Sequence, residues 1–155
     1  MDAPHIPVLL KEVKDAFSSL DEGYFIDCTL RYGGHTEAIL EAHPHLHVIG
    51  CDRDAEAIAF AKKRLERFGE RVRFVHRPFS EIADQLDALP VRGILADIGV
   101  SSLQLDKVDR GFGLDSNTLD MRMDSRQALS AYDVVNTYSQ EELEEILREY
   151  GELRE

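Results

Sequence analysis

The chain has 155 residues, which is enough for one domain with a hydrophobic core. Apolar residues make up 43% and charged residues 31%, as in a soluble globular protein, and no apolar run approaches the roughly 20 residues that a membrane span requires. The net charge of −12 argues against indiscriminate nucleic-acid binding but is compatible with a specific nucleic-acid substrate.

The N-terminal stretch MDAPHIPVLLKEV lacks the basic start and the long apolar core of a secretory signal. We therefore expect a cytoplasmic protein with no membrane partner. The two cysteines, Cys28 and Cys51, fall inside predicted strands and lack the spacing of a metal site. We expect two buried, reduced thiols and no bound metal.

Helix and strand patterns alternate along the first 99 residues. Apolar spacing predicts helices over 8–20, 34–43, 54–69 and 79–89, and short apolar runs predict strands over 24–29, 46–52, 71–76 and 91–99. Gly69 is expected to end the third helix. The order β-α-β-α-β-α-β predicts an α/β fold, in which a parallel sheet with right-handed crossovers carries helices on its faces.

The alternation stops after Gly99. Residues 100–127 form a long irregular stretch, and a loop of that length is usually functional or begins another unit. Two helices are predicted after it, over 128–138 and 139–151. Ser139 and Glu142 form a capping box at the start of the second helix, and Gly151 ends it. The prediction is one domain over 1–99 and a second unit over 100–155.

Acidic residues lie at three of the four predicted strand ends, where an open parallel sheet binds its ligands. These residues are Asp27, Asp52 and Asp97. Gly33 lies in a loop that opens the second helix, and it precedes Asp52 by about the 20 residues that separate a glycine loop from the acid that holds ribose hydroxyls. The spacing therefore predicts a ribose-bearing cofactor.

The loop sequence bears on which cofactor this is. A dinucleotide prefers G-x-G-x-x-G for its pyrophosphate, and RYGGH over 31–35 does not fit that pattern. S-adenosylmethionine has no phosphate, and its cationic groups favour an acidic strand end such as Asp27. Asp52 would hold the ribose. Phe79 would either stack on the adenine or be a core aromatic at the start of a helix, and its position favours neither interpretation.

Asp97 lies at the end of the fourth predicted strand, where a methyl acceptor would lie. Methyl transfer needs the acceptor atom in line with the S–CH₃ bond at near-attack distance. If the acceptor is an aromatic amine, its lone pair is delocalised, and a carboxylate that accepts its N–H hydrogen bonds helps the nitrogen to attack. We therefore expect Asp97 to be catalytic. The alternative is a helix cap or a turn former.

Six stretches, in this order, resemble the ribosomal RNA small subunit methyltransferase H family, also called the MraW family. They are HIPVLLKEV, DCTLRYGGHT, CDRDAEAI, ADIGVSSLQLD, RGFG and LDMRMD. The resemblance implies a class I, Rossmann-like methyltransferase that uses S-adenosylmethionine. Its substrate would be the exocyclic N4 amine of a cytidine in the decoding region of 16S rRNA, so 16S rRNA or the small ribosomal subunit would be the partner. Residues 1–99 would bind the cofactor, and residues 100–155 would begin an inserted helical domain for substrate recognition.

The same resemblance implies roles for particular residues. Cofactor contacts would come from Gly33, Gly34, His35, Asp52, Phe79, Asp97 and Gln104. His5 and its neighbours would close over the active site. Arg110, Asp120 and Arg122 would order the long loop or contact RNA, or would instead form an internal salt-bridge network.

Arg31 departs from the family, which has a glycine at this position. If the turn needs a positive φ, arginine adds strain of roughly 1 kcal/mol or more, and it places a cation beside a cationic ligand. Its side chain would swing to solvent or pair with Asp27 or Asp54, and we expect weaker cofactor binding. Gly113, where the family commonly has serine, is a lesser difference.

The chain is about half as long as the family's members, so we expect an incomplete sheet whose fourth strand has an unpaired edge. Three functions stay open at this point. The first is an rRNA cytosine-amine methyltransferase or its N-terminal part, and the second is a truncated, non-catalytic cofactor-binding or folding module. The third is a dinucleotide-dependent oxidoreductase domain, for which the sequence shows neither the glycine fingerprint nor a catalytic domain. The oligomeric state is also open, a homodimer included.

Overall fold

A computed structural model describes residues 7–86 and 88–151 of the chain. His5, which we expected to close over the active site, lies outside the described residues. The chain divides into two compact units, Met1–Gly99 and Val100–Glu155. In the described part of the chain, none of the helices has the length and apolar character needed to cross a membrane.

The first unit is built around four parallel strands. In chain order its elements are α1 (Leu10–Ala16), β1 (Gly23–Asp27), α2 (Gly34–Ala42), β2 (Leu46–Asp52), α3 (Ala55–Arg64), β3 (Val72–His76) and β4 (Val91–Leu95). The strand order is β3-β2-β1-β4, and all three pairings are parallel. The predicted α/β fold is confirmed. Because the order reverses between β1 and β4, the crevice that binds ligands in such sheets lies at the carboxyl ends of these two strands.

The core covers both faces of this sheet, as an all-parallel sheet requires. Successive side chains of a strand point to opposite faces, so Phe25 and Ile26, both fully buried in β1, belong to different clusters. Phe25 packs in the cluster that holds Ile39 of α2 and Ala61 of α3. Ile26 packs in the cluster that holds Ile82 from the segment after β3.

Three helix predictions for this unit need correction, and the first is that α1 covers Leu10–Ala16 where we predicted a helix over 8–20. The third helix ends at Arg64 instead of Gly69, because the chain continues after Leu65 as a 3₁₀ segment, Glu66–Arg71. Gly69, with φ +54°, lies inside that segment. The helix predicted over 79–89 is wrong. That segment forms two short 3₁₀ turns, Phe79–Glu81 and Ala83–Gln85. Its backbone bonds join residues three apart, since the Ile82 amide donates to the Phe79 carbonyl and the Leu86 amide donates to the Ala83 carbonyl. The left-handed Ala88, with φ +61°, and Pro90 then end the segment.

Two strands end earlier than predicted, so neighbouring residues move from strand to loop. β1 ends at Asp27, which leaves Cys28 just beyond it and only partly buried, whereas Cys51 inside β2 is fully buried. The expectation of two buried thiols is therefore right for Cys51 alone. Burial raises the pKa of Cys51 to about 12, so this thiol stays protonated at neutral pH. β4 ends at Leu95, so Asp97 follows the strand.

The second unit is helical where it is regular. It contains α4 (Ser102–Asp106), a 3₁₀ turn (Val108–Arg110), α5 (Ala131–Thr137) and α6 (Gln140–Tyr150). The first two elements lie in the stretch that we predicted to be irregular. The capping box of Ser139 and Glu142 and the end of α6 at Gly151 are confirmed. Ser130 forms a second capping box with Asp133 at the start of α5.

Asp27 is a buried carboxyl that ties β1 to α2. Its side chain accepts hydrogen bonds from the Thr36 hydroxyl at 2.7 Å and from the Thr29 amide at 3.1 Å, and the residue is 1% exposed. Burial raises the pKa of this carboxyl above its ordinary value, while the two hydrogen bonds act in the opposite direction. Because Asp27 is buried inside the fold, it does not face the crevice as the acidic strand end that we predicted would favour a cationic cofactor.

We expect Asp27 to make stability depend on pH in the acid range. A carboxyl whose pKa is raised on folding contributes most to stability below its ordinary pKa, and this contribution is lost as the pH rises through the raised value. The free energy of unfolding, measured in urea from about pH 3 to pH 7, should therefore fall more steeply with rising pH in the unchanged chain than in Asp27→Asn.

The control for this experiment is Asp21→Asn, since Asp21 is exposed just before β1. Its pH profile should follow that of the unchanged chain. Identical profiles for Asp27→Asn and the unchanged chain would contradict the account of Asp27.

Candidate active site

The loop between β1 and α2 lies at the carboxyl ends of β1 and β2. The Leu30 amide donates to the Cys51 carbonyl at 3.0 Å, and the Gly33 amide donates to the Leu30 carbonyl at 2.8 Å. The Arg31 amide donates to the Asp52 carboxylate at 2.7 Å. These bonds hold the loop against the end of β2, beside the first carboxylate of the candidate site.

Both loop glycines are required by close packing. Gly33 caps α2 with φ +75°, and a Cβ there would lie 2.8 Å from a methyl carbon of Leu65. A Cβ on Gly34 would overlap the ring of Pro7. These two positions therefore have a structural reason to be glycine, and contact between their backbone and a cofactor stays a prediction.

His35 lies in the first turn of α2 and is buried. Its Nε2 lies 2.9 Å from the Val8 carbonyl oxygen, and because a carbonyl only accepts, Nε2 carries the proton of this hydrogen bond. The side chain thereby links α2 to the segment before α1. Its predicted cofactor contact stays a prediction.

Asp52 ends β2 and remains partly exposed. One carboxylate oxygen accepts from the Arg31 amide at 2.7 Å, and the other accepts from the Asp54 amide at 2.9 Å. Burial raises the pKa of this carboxyl, and the backbone hydrogen bonds oppose that rise. Each carboxylate oxygen has two lone pairs, so Asp52 keeps the capacity to accept hydrogen bonds from ribose hydroxyls.

Asp97 lies on the β4 side of the crevice between β1 and β4. Its amide donates to the Thr29 hydroxyl at 2.7 Å, which joins the segment after β4 to the segment after β1. Its carboxylate lies 3.0 Å from Nη1 of Arg31, and this side chain is 26% exposed. Asp52 and Asp97 therefore lie on either side of the loop that follows β1, and Arg31 contacts both.

Arg31 adopts the left-handed conformation, with φ +46°. The turn therefore needs a positive φ at this position, and arginine is strained there by roughly 1 kcal/mol or more, as we predicted for such a turn. Its side chain pairs with Asp97, so the prediction that it would swing to solvent or pair with Asp27 or Asp54 is wrong. Nη2 also donates to the carbonyls of Asp97 at 2.8 Å and of Gly99 at 3.3 Å.

The two carboxylates that we expected to pair with Arg31 are committed elsewhere. Asp27 is buried and bonded to Thr36, and Asp54 is buried and caps α3 through the Glu56 amide. Asp97 is the carboxylate that remains accessible from the left-handed turn at position 31.

Phe79 and Gln104 have quite different surroundings. Phe79 is 39% exposed in the 3₁₀ turn after Pro78, which disfavours the core interpretation, and stacking on adenine stays a prediction. Gln104 belongs to the second unit and is buried. Its side-chain oxygen accepts from the Ser101 amide at 2.9 Å, and its cofactor contact likewise stays a prediction.

Arg110, Asp120 and Arg122 form the internal network that was one of our alternatives. Arg122 pairs with Asp120 at 2.7 Å, and Arg110 donates to the carbonyls of Arg122 and Met123 at 3.2 Å. The Arg122 guanidinium lowers the pKa of the Asp120 carboxyl. These bonds order the long loop, and contact with RNA stays a prediction.

At Gly113 a Cβ would lie 2.6 Å from the Leu105 carbonyl oxygen, so a serine there would need a local backbone shift.

Two hydroxyl residues of the site were missed from the sequence. Thr29 fixes the segment that carries Asp97, and Thr36 fixes Asp27. The signal for Thr29 was its position directly after a buried strand, within the quoted stretch DCTLRYGGHT. Among the described residues, no group of three or more His, Cys, Asp or Glu side chains could hold a metal ion.

Comparison with known proteins identifies the family. The family model described as "MraW methylase family" matches residues 2–155. Ribosomal RNA small subunit methyltransferase H of Campylobacter lari is 58% identical over 153 residues, which cover 99% of this chain and 50% of the relative. The protein of the same name from Wolinella succinogenes is 56% identical, over 100% of this chain and 51% of the relative. The chain thus spans about half the length of the curated relatives it matches.

A solved structure supports the fold. The structure of a rRNA methylase from Streptococcus thermophilus superposes with a TM-score of 0.51 at 18% identity, over 68% of this chain and 66% of that chain. A likeness at this identity bears on the fold alone, and it agrees with the predicted Rossmann-like sheet. The family predicted from six sequence stretches is confirmed: the chain belongs to the MraW methylase family.

Proposed function

We propose that this chain is the cofactor-binding part of an rRNA methyltransferase. The methyl donor is S-adenosylmethionine, and the acceptor is the exocyclic N4 amine of a cytidine in the decoding region of 16S rRNA, free or in the small ribosomal subunit. Residues 1–99 bind the donor, and residues 100–155 begin the domain that recognises the substrate. Family membership and the names of the two relatives support the reaction class.

The observation that carries the proposal is the pair of carboxylates at the carboxyl edge of the sheet. Asp52 at the end of β2 and Asp97 after β4 lie on either side of the β1–α2 loop, and Arg31 contacts both. A ligand in this crevice meets an acceptor for its ribose hydroxyls on one side and, on the other, a carboxylate that is paired with Arg31. The loop lacks the glycine spacing that a pyrophosphate prefers, which favours a cofactor without phosphate.

Each end of the donor has a suitable group. Asp52 accepts from the ribose hydroxyls, and the exposed ring of Phe79 offers a stacking surface for the adenine. When bound, the donor supplies an electrophilic methyl group on a cationic sulfur. Asp97 attracts that charge and accepts an N–H hydrogen bond from the amine, which increases electron density on the nitrogen as it attacks. As the nitrogen gained the methyl group and the S–CH₃ bond broke, the amine proton would pass to the Asp97 carboxylate and the donor would leave as a neutral thioether.

The fit between this site and the proposed methyl transfer is incomplete in one respect. Asp97 is engaged by Arg31 through one ion pair and one hydrogen bond to its carbonyl, so it can act on a substrate only after this contact loosens. This observation favours a second candidate function, a non-catalytic module that binds the cofactor weakly. The proposal that the chain binds S-adenosylmethionine is common to both candidates.

We expect calorimetric titration to detect S-adenosylmethionine binding to this chain and no binding of NAD. Asp52→Asn should weaken binding about tenfold, because a hydrogen bond to a charged acceptor is worth roughly 1.5 to 3 kcal/mol. Glu56→Gln is the matched control, since Glu56 is exposed at the start of α3. Binding of NAD in place of S-adenosylmethionine, or equal affinity in folded Asp52→Asn, would contradict the assignment.

Asp97 is tested in a chimera that joins residues 1–155 to the second half of one of the curated relatives. Asp97→Ala should leave the fold intact but lower methyl transfer to 16S rRNA or small subunits by about 100-fold or more, because it removes the acceptor for the amine protons. Asp84→Ala, at a side chain that is 61% exposed, is the control. Full activity in Asp97→Ala would remove Asp97 from the mechanism.

A further inference from the structure

Arg31 connects the two sides of the proposed site. Its amide donates to Asp52 at 2.7 Å, and Nη1 lies 3.0 Å from the Asp97 carboxylate. Nη2 donates to the carbonyls of Asp97 and Gly99. One residue therefore touches both carboxylates of the site, and its side chain crosses from the segment after β1 to the segment after β4.

This arrangement removes most of the attraction that Asp97 would exert on a cation. The two side chains are 25% and 26% exposed, so solvent screens their attraction less than it screens a fully exposed pair. A guanidinium at 3.0 Å offsets the carboxylate charge, and a second cation that approaches Asp97 meets a neutral pair with an arginine at its edge.

We infer that Arg31 is a specificity-determining residue of this site, which lowers its affinity for the cationic methyl donor relative to the neutral thioether product, S-adenosylhomocysteine. The inference rests on the proposed function. Donor and product share the adenine, the ribose and the amino-acid tail, and they differ in one methyl group and one positive charge. The ratio of their dissociation constants therefore isolates what the site does to that charge.

The donor can enter in two ways, and both are unfavourable for a cation. If the pair between Arg31 and Asp97 stays closed, the sulfonium lies near a guanidinium and is repelled. If the pair opens, the sulfonium gains Asp97 but the guanidinium loses its acceptors and stays nearby. The product carries no charge on sulfur and avoids the repulsion. Any steric cost of moving the arginine applies to both ligands and cancels in the ratio.

The test is calorimetric titration of the 155-residue chain and its variants with both ligands. In Arg31→Gly the dissociation constant of the donor divided by that of the product should fall about tenfold relative to the unchanged chain. Arg31→Lys keeps the charge and should keep the ratio. Because salt screens the repulsion, the difference between Arg31→Gly and the unchanged chain should shrink at high ionic strength.

A control separates charge from backbone strain. Leu9 also has a left-handed φ of +53° and is 63% exposed, so Leu9→Gly relieves a similar strain without changing any charge, and its ratio should match that of the unchanged chain. If Arg31→Gly does not fold, Arg31→Asn replaces it, since asparagine is neutral and tolerates the left-handed region.

The outcomes separate the inference from the function on which it rests. Binding of both ligands with the same ratio in Arg31→Gly and in the unchanged chain overturns the role of Arg31 and leaves the proposed function standing. Failure of every folded protein to bind either ligand overturns the proposed function, and the inference with it.

Discussion

The position of β1 between β2 and β4 is the constraint on which the candidate site depends. Because all the pairings are parallel, the loops that follow these strands leave the sheet at one edge, and residues far apart in the chain meet there. Asp52 reaches the loop after β1 from one side through the Arg31 amide, and Asp97 reaches it from the other through Thr29 and the Arg31 side chain. The buried Asp27 fixes both ends of this loop, since its carboxyl accepts from the Thr29 amide and from the Thr36 hydroxyl in α2.

Arg31 turns this meeting point into a closed contact. Its left-handed backbone conformation costs free energy, and the ion pair and carbonyl contacts of its side chain offset part of that cost. The same contacts occupy the carboxylate that the proposed chemistry needs. Stability of the loop and readiness of Asp97 for a substrate therefore oppose each other in this chain. We propose that this opposition weakens cofactor binding while the fold stays intact.

Much of the fold and part of the site could be predicted from the sequence. Alternating apolar runs predicted the parallel sheet, and acids at the strand ends predicted where Asp52 and Asp97 lie, because both signals are local. The helix predicted over 79–89 failed because apolar spacing does not distinguish a continuous helix from two successive 3₁₀ turns. The partner of Arg31 could not be predicted, since it depends on strand order and on which carboxylates are already bonded. Burial of Asp27, likewise, follows from the position of β1 inside the sheet.

We propose that the carboxyl ends of β1, β2 and β4 bind S-adenosylmethionine beside Arg31. The most direct test is titration of the ¹⁵N-labelled chain with S-adenosylmethionine, followed by backbone amide shifts in NMR spectra. If the cofactor binds there, the largest shifts fall within 28–34, 52–54 and 97–99, and at Phe79. Shifts confined to other parts of the chain, with these four places unchanged at saturation, would contradict this proposal.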